Sequence, residues 1–446
     1  MKVVTRFPPS PTGHFHIGSA RTALFNYLFA LKHGGTMKFR LEDTDRTRSK
    51  PEYEQDITDG LKWLGLSYEP SSPLRQSERG HAYRTVLHAL IEKGAAYEAE
   101  TAVDDPEKRV VRFRNRGGSV SFTDLIRGEV SFDVSELSDF VIAKSMDEPL
   151  YHLAVVADDS DAGVTHVIRG EDHISNTPRQ ILILEALGYE RPAYAHIPLI
   201  LAPDRSKLSK RHGAVSISEY RHAGFLPEAM VNYLALLGWN PGGDREIFSL
   251  SELGNVFDLS HVNKSGAIFD IEKLRWFNRH YLLQLDAGDF ARSAIERLRA
   301  AAESRSLQWD EKRGKKLLPL LRERVHVWSD IDDLVSAAEF DFFFTPPVLD
   351  AQNIPHKGMG KDNTCGHLSK MRALLEALHE DEFASSEAIK HTVWEYADHH
   401  GRGEVLWPLR YALTGKERSP DPFSVASILG KSETLSRIDS AIALLQ

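Results

Sequence analysis

The chain has 446 residues, of which 41% are hydrophobic and 27% are charged, and its formal net charge is −9. This length predicts roughly two to four domains, because domains commonly hold about 100–200 residues. No stretch approaches the roughly 18–20 apolar residues of a membrane-spanning helix, and the N-terminus lacks the apolar core of a signal peptide. The sequence therefore predicts a cytoplasmic protein that does not cross a membrane.

The single cysteine, Cys365, excludes an internal disulfide and a cysteine-based zinc site. The negative net charge argues weakly against a nucleic-acid partner, because phosphate binding requires positive charge. An acidic protein can nevertheless carry a basic face, so the motifs rather than the net charge have to decide the function.

The N-terminal pattern of apolar residues predicts a strand, a helix and a second strand in succession. Residues 2–7 are apolar and β-prone, residues 17–32 carry apolar side chains at helical spacing, and residues 36–42 again favour a strand. A βαβ unit of this length implies parallel strands. A further helix is predicted over residues 51–64, with proline at its first position.

The remaining chain divides into a β-rich insertion, a second α/β segment and a helical tail. Residues 98–150 alternate valine and phenylalanine with polar residues, which predicts short strands. The α/β character returns in residues 151–200, with a helix over residues 176–187 and an apolar strand over residues 197–201. Beyond about residue 225 the pattern is mostly helical.

The turn after the first strand ends in His16-Ile17-Gly18, at the start of the predicted helix. Ligands bind at the carboxyl ends of strands in open parallel sheets, and a helix N-terminus attracts phosphate. Gly18 would let a nucleotide approach the backbone, and His16 would donate a hydrogen bond to a phosphate oxygen. The turn lacks the glycine patterns of dinucleotide folds and P-loops. The alternative interpretation of His16 is an ordinary histidine at a helix start.

A second candidate site is the loop from Asp204 to Gly213, which holds four cationic side chains and a histidine within ten residues. Lysines in such a loop act as mobile point charges that can close over a polyphosphate. An isolated basic run is also typical of a solvated surface loop, and the pattern alone leaves both interpretations open.

These two sites together resemble the paired signatures of class I aminoacyl-tRNA synthetases, and longer motifs are similar to the bacterial type of the glutamyl-tRNA synthetase family. The matching segments are PSPTG (9–13), RTALFNYLFA (21–30), LEDTD (41–45), THVIRGEDH (165–173), NTP (176–178), LSKRHGA (208–214), NYLALLGW (232–239) and LRYALTG (409–415).

The resemblance implies an α/β fold: a Rossmann-like class I catalytic domain with a small α+β insertion, followed by an all-α C-terminal anticodon-binding region. The implied domains are the first catalytic half (1–80), an acceptor-end-binding insertion (81–150), the second catalytic half with the KLSKR loop (151–215), a stem-contact helical domain (216–290) and the anticodon-binding region (291–446). Relatives often carry a cysteine-bearing zinc motif after the position of Tyr97, where this chain has Glu98-Ala99-Glu100. Zinc is therefore not expected.

The resemblance also implies the reaction, a ligation that activates L-glutamate with ATP and transfers it to the 3′ end of tRNA(Glu), with Mg²⁺ accompanying the ATP. Carried over by matching position, the catalytic residues are His16, Lys207 and Lys210; the ATP-binding residues are these three with Thr12, Gly18, Glu171 and Leu208; and the glutamate-binding residues are Arg6, Ser10, Glu42, Tyr151 and Arg169. A monomer is expected.

Several alternatives stay open at this point. The basic residues around Phe113 would contact the acceptor end of tRNA or form an ordinary solvated face; they are Lys108, Arg109, Arg112, Arg114 and Arg116. The enzyme could also, or only, charge tRNA(Gln), which depends on how the tail reads the anticodon. A non-catalytic tRNA-binding protein on a synthetase scaffold is the alternative from another class.

Overall fold

The computed structural model describes residues 2–100, 109–209 and 216–446. The chain divides into two compact units, Met1–Tyr281 and Leu282–Gln446. The first unit holds the strands and the candidate site, and the second is helical.

The predicted N-terminal βαβ unit is confirmed. Its elements are β1 (Val4–Phe7), α1 (Ile17–Lys32), β2 (Thr36–Leu41), α2 (Pro51–Trp63) and β3 (Glu69–Arg75). The three strands form a parallel sheet in the order β1-β2-β3. Helix α1 is buried on most of its surface, because it packs on this sheet and also contacts helices later in the chain. Its sequence accordingly has little polar face.

The short strands predicted over residues 98–150 and the α/β elements predicted over residues 151–200 are also present. Their elements are α3 (Gly80–Glu92), β4 (Ala96–Glu100), β5 (Arg109–Phe113), β6 (Ser119–Asp124), β7 (Gly128–Asp133), β8 (Phe140–Ser145), β9 (Glu148–Pro149), α4 (Tyr151–Asp161), β10 (His166–Gly170), α5 (Thr177–Leu187), β11 (Ala193–Ile197) and β12 (Ile200–Leu201). The single strand predicted over residues 197–201 is wrong, since β11 ends at Ile197 and β12 is separate. Pro198 lies between them and has no N–H to continue the ladder.

Two further sheets contain the strands of the insertion, and one of them also includes strands of the second α/β segment. Strands β4, β5, β8 and β9 form one antiparallel sheet, and the second sheet has the order β10-β11-β6-β7. Within the second sheet, β6 pairs with β11 through Asp124 and Tyr194. The end of an insertion strand therefore lies directly beside a strand of the second α/β segment.

Strands β1 and β10 run side by side and bring the two α/β segments together. The N–H of Thr165 donates to the carbonyl of Val4 at 2.9 Å, and the N–H of Val4 donates to the Thr165 hydroxyl at 2.9 Å. Arg6 lies on β1 and Arg169 lies on β10. The fold therefore places both arginines on adjacent strands of two neighbouring sheets, near the carboxyl ends of the strands, where ligands bind in α/β folds.

Helices make up most of the described chain after residue 216, which confirms the mostly helical pattern predicted beyond about residue 225. They are α6 (Ile217–Ala223), α7 (Pro227–Leu236), α8 (Leu250–Val256), α9 (Ile271–Gln284), α10 (Ala287–Ser304), α11 (Glu311–Arg324), α12 (Ser329–Ser336), α13 (Asp341–Phe344), α14 (Lys361–Glu376), α15 (Glu380–Phe383), α16 (Ser386–His400), α17 (Arg402–Thr414), α18 (Pro422–Leu429) and α19 (Lys431–Leu445), with the short strand β13 (Ala267–Ile268) before α9. None of the described helices is long and apolar enough to cross a membrane.

Candidate active site

A cleft of about 1060 Å³ opens in the first unit, between the carboxyl ends of β1 and β10 and the N-terminus of α1. It brings together most of the residues predicted from the sequence. The predicted residues that line it are Arg6, Ser10, Thr12, His16, Gly18, Glu42, Tyr151, Arg169, Lys207 and Leu208.

Two predicted residues, Glu171 and Lys210, are not among them. The carboxylate of Glu171 accepts the backbone N–H of Leu199 at 2.7 Å and forms an ion pair with Arg127. Glu171 is not among the described residues that line the cleft. Lys210, together with Arg211, His212 and Gly213 of the same predicted loop, lies outside the described residues.

Arg6 is held by a buried network of alternating charges. Its Nε donates to Asp159 Oδ2 at 3.2 Å, and its Nη1 donates to the carbonyl of Ile168 at 3.1 Å. The other oxygen of Asp159 accepts from Arg40 Nη1 at 2.7 Å, and Arg40 Nη2 donates to Glu42 at 3.1 Å. Arg6 and Glu42 therefore present a fixed guanidinium and a fixed carboxyl group to the cleft.

The protonation of this network follows from burial and from the two guanidinium groups. Burial opposes ionisation of Asp159, yet Arg40 and Arg6 together hold the pKa of Asp159 below its ordinary value. Burial raises the pKa of Glu42, although Arg40 opposes this shift. Arg40 is thus the shared cation that favours the charged form of both carboxyl groups. Sequence reasoning missed Arg40 and Asp159, although an arginine between two apolar residues of β2 was a signal for a buried ion pair.

Arg169 differs from Arg6 because all its protein partners are neutral. Its Nε donates to His196 Nε2 at 3.1 Å, its Nη1 to Gln180 Oε1 at 2.9 Å, and its Nη2 to Thr177 Oγ1 at 2.8 Å. The side chain is only 5% exposed, and none of the described carboxylates forms an ion pair with it. Burial lowers the pKa of Arg169.

A buried guanidinium without a carboxylate is costly, and an anionic ligand would remove this cost. A guanidinium has five N–H donors, and Arg169 uses three of them on the protein. Two donors remain on the Nη atoms, which suits a forked pair of hydrogen bonds to a carboxylate.

Neutral groups complete this end of the cleft. The Tyr151 hydroxyl lies 3.0 Å from His173 Nδ1, and burial raises the pKa of Tyr151. Burial, with a smaller contribution from Arg169, lowers the pKa of His173 to about 4. Burial and the nearby Arg179 lower the pKa of His152 to about 4. His173, which lines the cleft, and His152 are therefore both neutral at pH 7.

The opposite end of the cleft is formed by the start of α1. His16 is the N-cap of this helix: its Nδ1 accepts the backbone N–H of Ser19 at 3.2 Å, and its Nε2 lies 3.0 Å from the Ser19 hydroxyl. The ring lines the open cleft. Desolvation by the surrounding protein and, to a smaller extent, the positive charge of Lys207 lower the pKa of His16. A Cβ on Gly18 would come within 3.1 Å of this ring, so glycine preserves the space beside it.

The basic residues of the insertion are partly engaged within the protein. Arg112 donates to the carbonyl of Asp139 at 2.9 Å, Arg109 forms an ion pair with Glu98 at 3.4 Å, and the guanidinium of Arg114 lies 4.9 Å from the centre of the Tyr97 ring. Lys108 lies outside the described residues. Part of the basic charge of the insertion is therefore used in contacts within the protein.

Known proteins resemble the chain over its whole length. The family model of the class I tRNA synthetases (E and Q), catalytic domain, matches residues 2–106 and 98–276, and a model of an anticodon binding domain matches residues 289–442. The chain belongs to the class I tRNA synthetases of the E and Q type. Its sheets and helical C-terminal unit agree with the fold predicted from the resemblance.

Individual relatives cover this synthetase from end to end. It is 38% identical to a glutamate–tRNA ligase of Desulforamulus reducens over 99% of this chain and 100% of that protein. It is 40% identical to a glutamate–tRNA ligase of Nitratidesulfovibrio vulgaris over 99% of both chains. A crystal structure of a glutamate tRNA ligase from Elizabethkingia meningosepticum, in complex with its amino acid, superposes with a TM-score of 0.86 at 30% identity over 100% of both chains.

The lowered pKa of His152 predicts a stability difference at mildly acidic pH. In the unfolded chain His152 titrates near 6.5, whereas in the folded synthetase its pKa is about 4. Below pH 6.5 the unfolded state therefore binds a proton that the folded state does not, and this difference removes stability as the pH falls towards 4. His152→Gln is expected to show a shallower fall in the free energy of unfolding over this range.

The measurement is urea unfolding of both proteins at several pH values between 7 and 4. The matched control is His81→Gln, which replaces an exposed histidine of α3. If the free energy of unfolding falls equally steeply with decreasing pH in the parent protein and in His152→Gln, the lowered pKa of His152 is contradicted.

Proposed function

We propose that this synthetase is a glutamate–tRNA ligase that activates L-glutamate with ATP and transfers it to the 3′ end of tRNA(Glu). The observation that carries this proposal is the charge pattern of the cleft, in which Arg6 and Arg169 face a ligand beside the carboxylate of Glu42. Glutamate carries two carboxylates and one ammonium group. The two guanidinium groups would donate hydrogen bonds to its two carboxylates, and the carboxyl group of Glu42 would accept from its ammonium group.

The same pocket favours glutamate over glutamine. The amide of glutamine carries no charge, and its NH₂ end would meet the N–H donors of a buried arginine. Rejection of an isosteric ligand is strong when it leaves a buried charged group unpaired. Tyr151 and Ser10 would add neutral hydrogen bonds on the walls of this pocket.

ATP would bind at the His16 end of the cleft, with its phosphates near the N-terminus of α1. Thr12, Gly18 and Leu208 would lie beside the nucleotide, and Lys207 with Lys210 would neutralise the phosphates. Glu171 would lie near the nucleotide. Its ion pair with Arg127 and the hydrogen bond that it accepts from the Leu199 backbone would hold it there.

The reaction then has two displacement steps. An oxygen of the α-carboxylate attacks the α-phosphorus of ATP, and the bond to pyrophosphate breaks. A ribose hydroxyl at the 3′ end of tRNA attacks the carbonyl carbon of glutamyl adenylate, AMP leaves with the bonding electrons, and the hydroxyl proton is released. Such displacements depend on alignment and charge neutralisation, and the cleft supplies both without a nucleophilic side chain.

Mg²⁺ would enter with ATP. Among the described residues, no three histidine, cysteine or acidic side chains cluster as metal ligands. Mg²⁺ commonly keeps several waters and is held mostly by the phosphates, and this fits a cleft lined with cations. The metal would supply charge neutralisation on the phosphates, as Lys207 does.

The tRNA would extend from the insertion to the helical unit. The basic residues of β5 would meet the acceptor end, and the region from residue 291 would read the anticodon by stacking its splayed bases. We propose a monomer that works in the cytoplasm. The alternative is an enzyme that also charges tRNA(Gln), and the contacts of the anticodon-binding region with the anticodon would determine which tRNAs are charged.

The test is ATP-dependent charging of labelled glutamate and labelled glutamine onto separate transcripts of tRNA(Glu) and tRNA(Gln). We expect tRNA(Glu) to accept glutamate and neither tRNA to accept glutamine. Glutamylation of tRNA(Gln) as well would identify a non-discriminating enzyme with the same chemistry. A folded protein that binds tRNA without charging either transcript would contradict the proposal and favour a non-catalytic scaffold.

Lys207 provides a test of the phosphate end. Lys207→Ala is expected to lower the charging rate by at least about 10²-fold, because charge stabilisation of the transition state is lost. Lys62→Ala, which removes an exposed lysine of α2, is the matched control for the change in net charge. If Lys207→Ala charges tRNA at the rate of Lys62→Ala, Lys207 does not act on the phosphates.

A further inference from the structure

A buried chain of hydrogen bonds connects the insertion to Arg169. The imidazole of His196 lies between Asp124 and Arg169: its Nδ1 is 2.7 Å from Asp124 Oδ2, and its Nε2 is 3.1 Å from Arg169 Nε. The side chains of Asp124 and His196 are completely buried. Asp124 ends β6 and His196 lies on the adjacent strand β11. The chain therefore begins in the insertion and ends at the cleft.

The Asp124 carboxylate determines which nitrogen of His196 carries the proton. A carboxylate only accepts hydrogen bonds, so Nδ1 of His196 must be the protonated nitrogen. Nε2 is then left with a lone pair and accepts from Arg169 Nε. In the other tautomer two N–H groups would point at each other. Burial, which outweighs the opposing effect of Asp124, lowers the pKa of His196, so the ring stays neutral.

Asp124 is itself fixed by the turn that follows β6. One carboxylate oxygen accepts the backbone N–H groups of Ile126 and Arg127, both at 2.9 Å, and the other accepts the backbone N–H of His196 at 3.0 Å as well as its ring. All its partners are donors. An asparagine would have to place its NH₂ group against one pair of these donors, so the site requires a carboxylate.

We propose that Asp124 and His196 are positioning residues for the amino acid, which fix the plane of the Arg169 guanidinium so that its free N–H groups face a ligand carboxylate. This inference rests on the proposed function, because it assigns Arg169 to glutamate. Neither residue touches the substrate. Thr177 and Gln180 hold the Nη atoms, and only His196 holds Nε. Without that acceptor, the guanidinium would lose its third fixed point and leave a buried N–H unpaired.

The test compares two substitutions of the same residue. In His196→Gln the side-chain carbonyl can reach the place of Nε2 and accept from Arg169, whereas His196→Leu has no acceptor. We expect His196→Leu to raise the KM for glutamate about tenfold or more, which corresponds to a lost hydrogen bond to a charged group. His196→Gln should stay within about threefold of the parent, and the KM for ATP should change less than about twofold in both variants.

Three further variants separate positioning from packing. Asp124→Asn should raise the KM for glutamate as His196→Leu does. Phe122→Leu loosens the ring that packs near His196, at 6.1 Å between centroids, without removing a hydrogen bond; it should lower the melting temperature and leave the KM for glutamate unchanged. Asp133→Asn alters an exposed aspartate of the same insertion and should change neither quantity. The two His196 variants carry the test if Asp124→Asn does not fold.

The outcomes distinguish the inference from the proposed function. Failure of the parent enzyme to charge glutamate would overturn both. Normal charging by the parent, with the KM for glutamate unchanged in His196→Leu, would overturn only the inference. An equal rise in His196→Leu and His196→Gln would also overturn it, because the effect would then come from packing. A large rise in His196→Leu together with rescue in His196→Gln would support the acceptor role.

Discussion

The central constraint on this structure is the buried guanidinium of Arg169, which is surrounded by neutral acceptors and has no carboxylate of its own among the described residues. A charge in this position destabilises the empty protein, and a bound carboxylate would neutralise it. Arg6, in contrast, already shares Asp159 with Arg40. The cleft therefore carries one arginine whose charge is balanced by the protein and one whose charge remains for a ligand.

The fold follows from the need to bring these groups to one place. Strands β1 and β10 come from segments more than 150 residues apart, yet they run side by side through the backbone bond between Thr165 and Val4. Arg6 and Arg169 thereby line the same cleft. The helix that begins after β1 brings His16 to the same cleft. The proposed carboxylate and phosphate sites therefore both depend on the placement of β1 beside β10.

The sequence allowed the α/β order, the helical tail and most of the cleft to be predicted, because periodicity and short motifs are local signals. The single strand predicted over residues 197–201 was wrong, since Pro198 interrupts it. The residues that hold the two cleft arginines were missed, namely Arg40, Asp159 and His196. They act through contacts between distant segments of the chain, and a local sequence pattern does not show which buried charged groups are in contact. Their roles become visible only when distances are known.

The most direct measurement of the central claim is a crystal structure of the protein with L-glutamate bound. The account predicts a glutamate carboxylate within about 3 Å of both Nη atoms of Arg169, the spacing of charge-assisted hydrogen bonds, with the His196 bond to Nε retained. A glutamate bound elsewhere in the cleft, or an Arg169 side chain paired with a protein carboxylate instead, would contradict it.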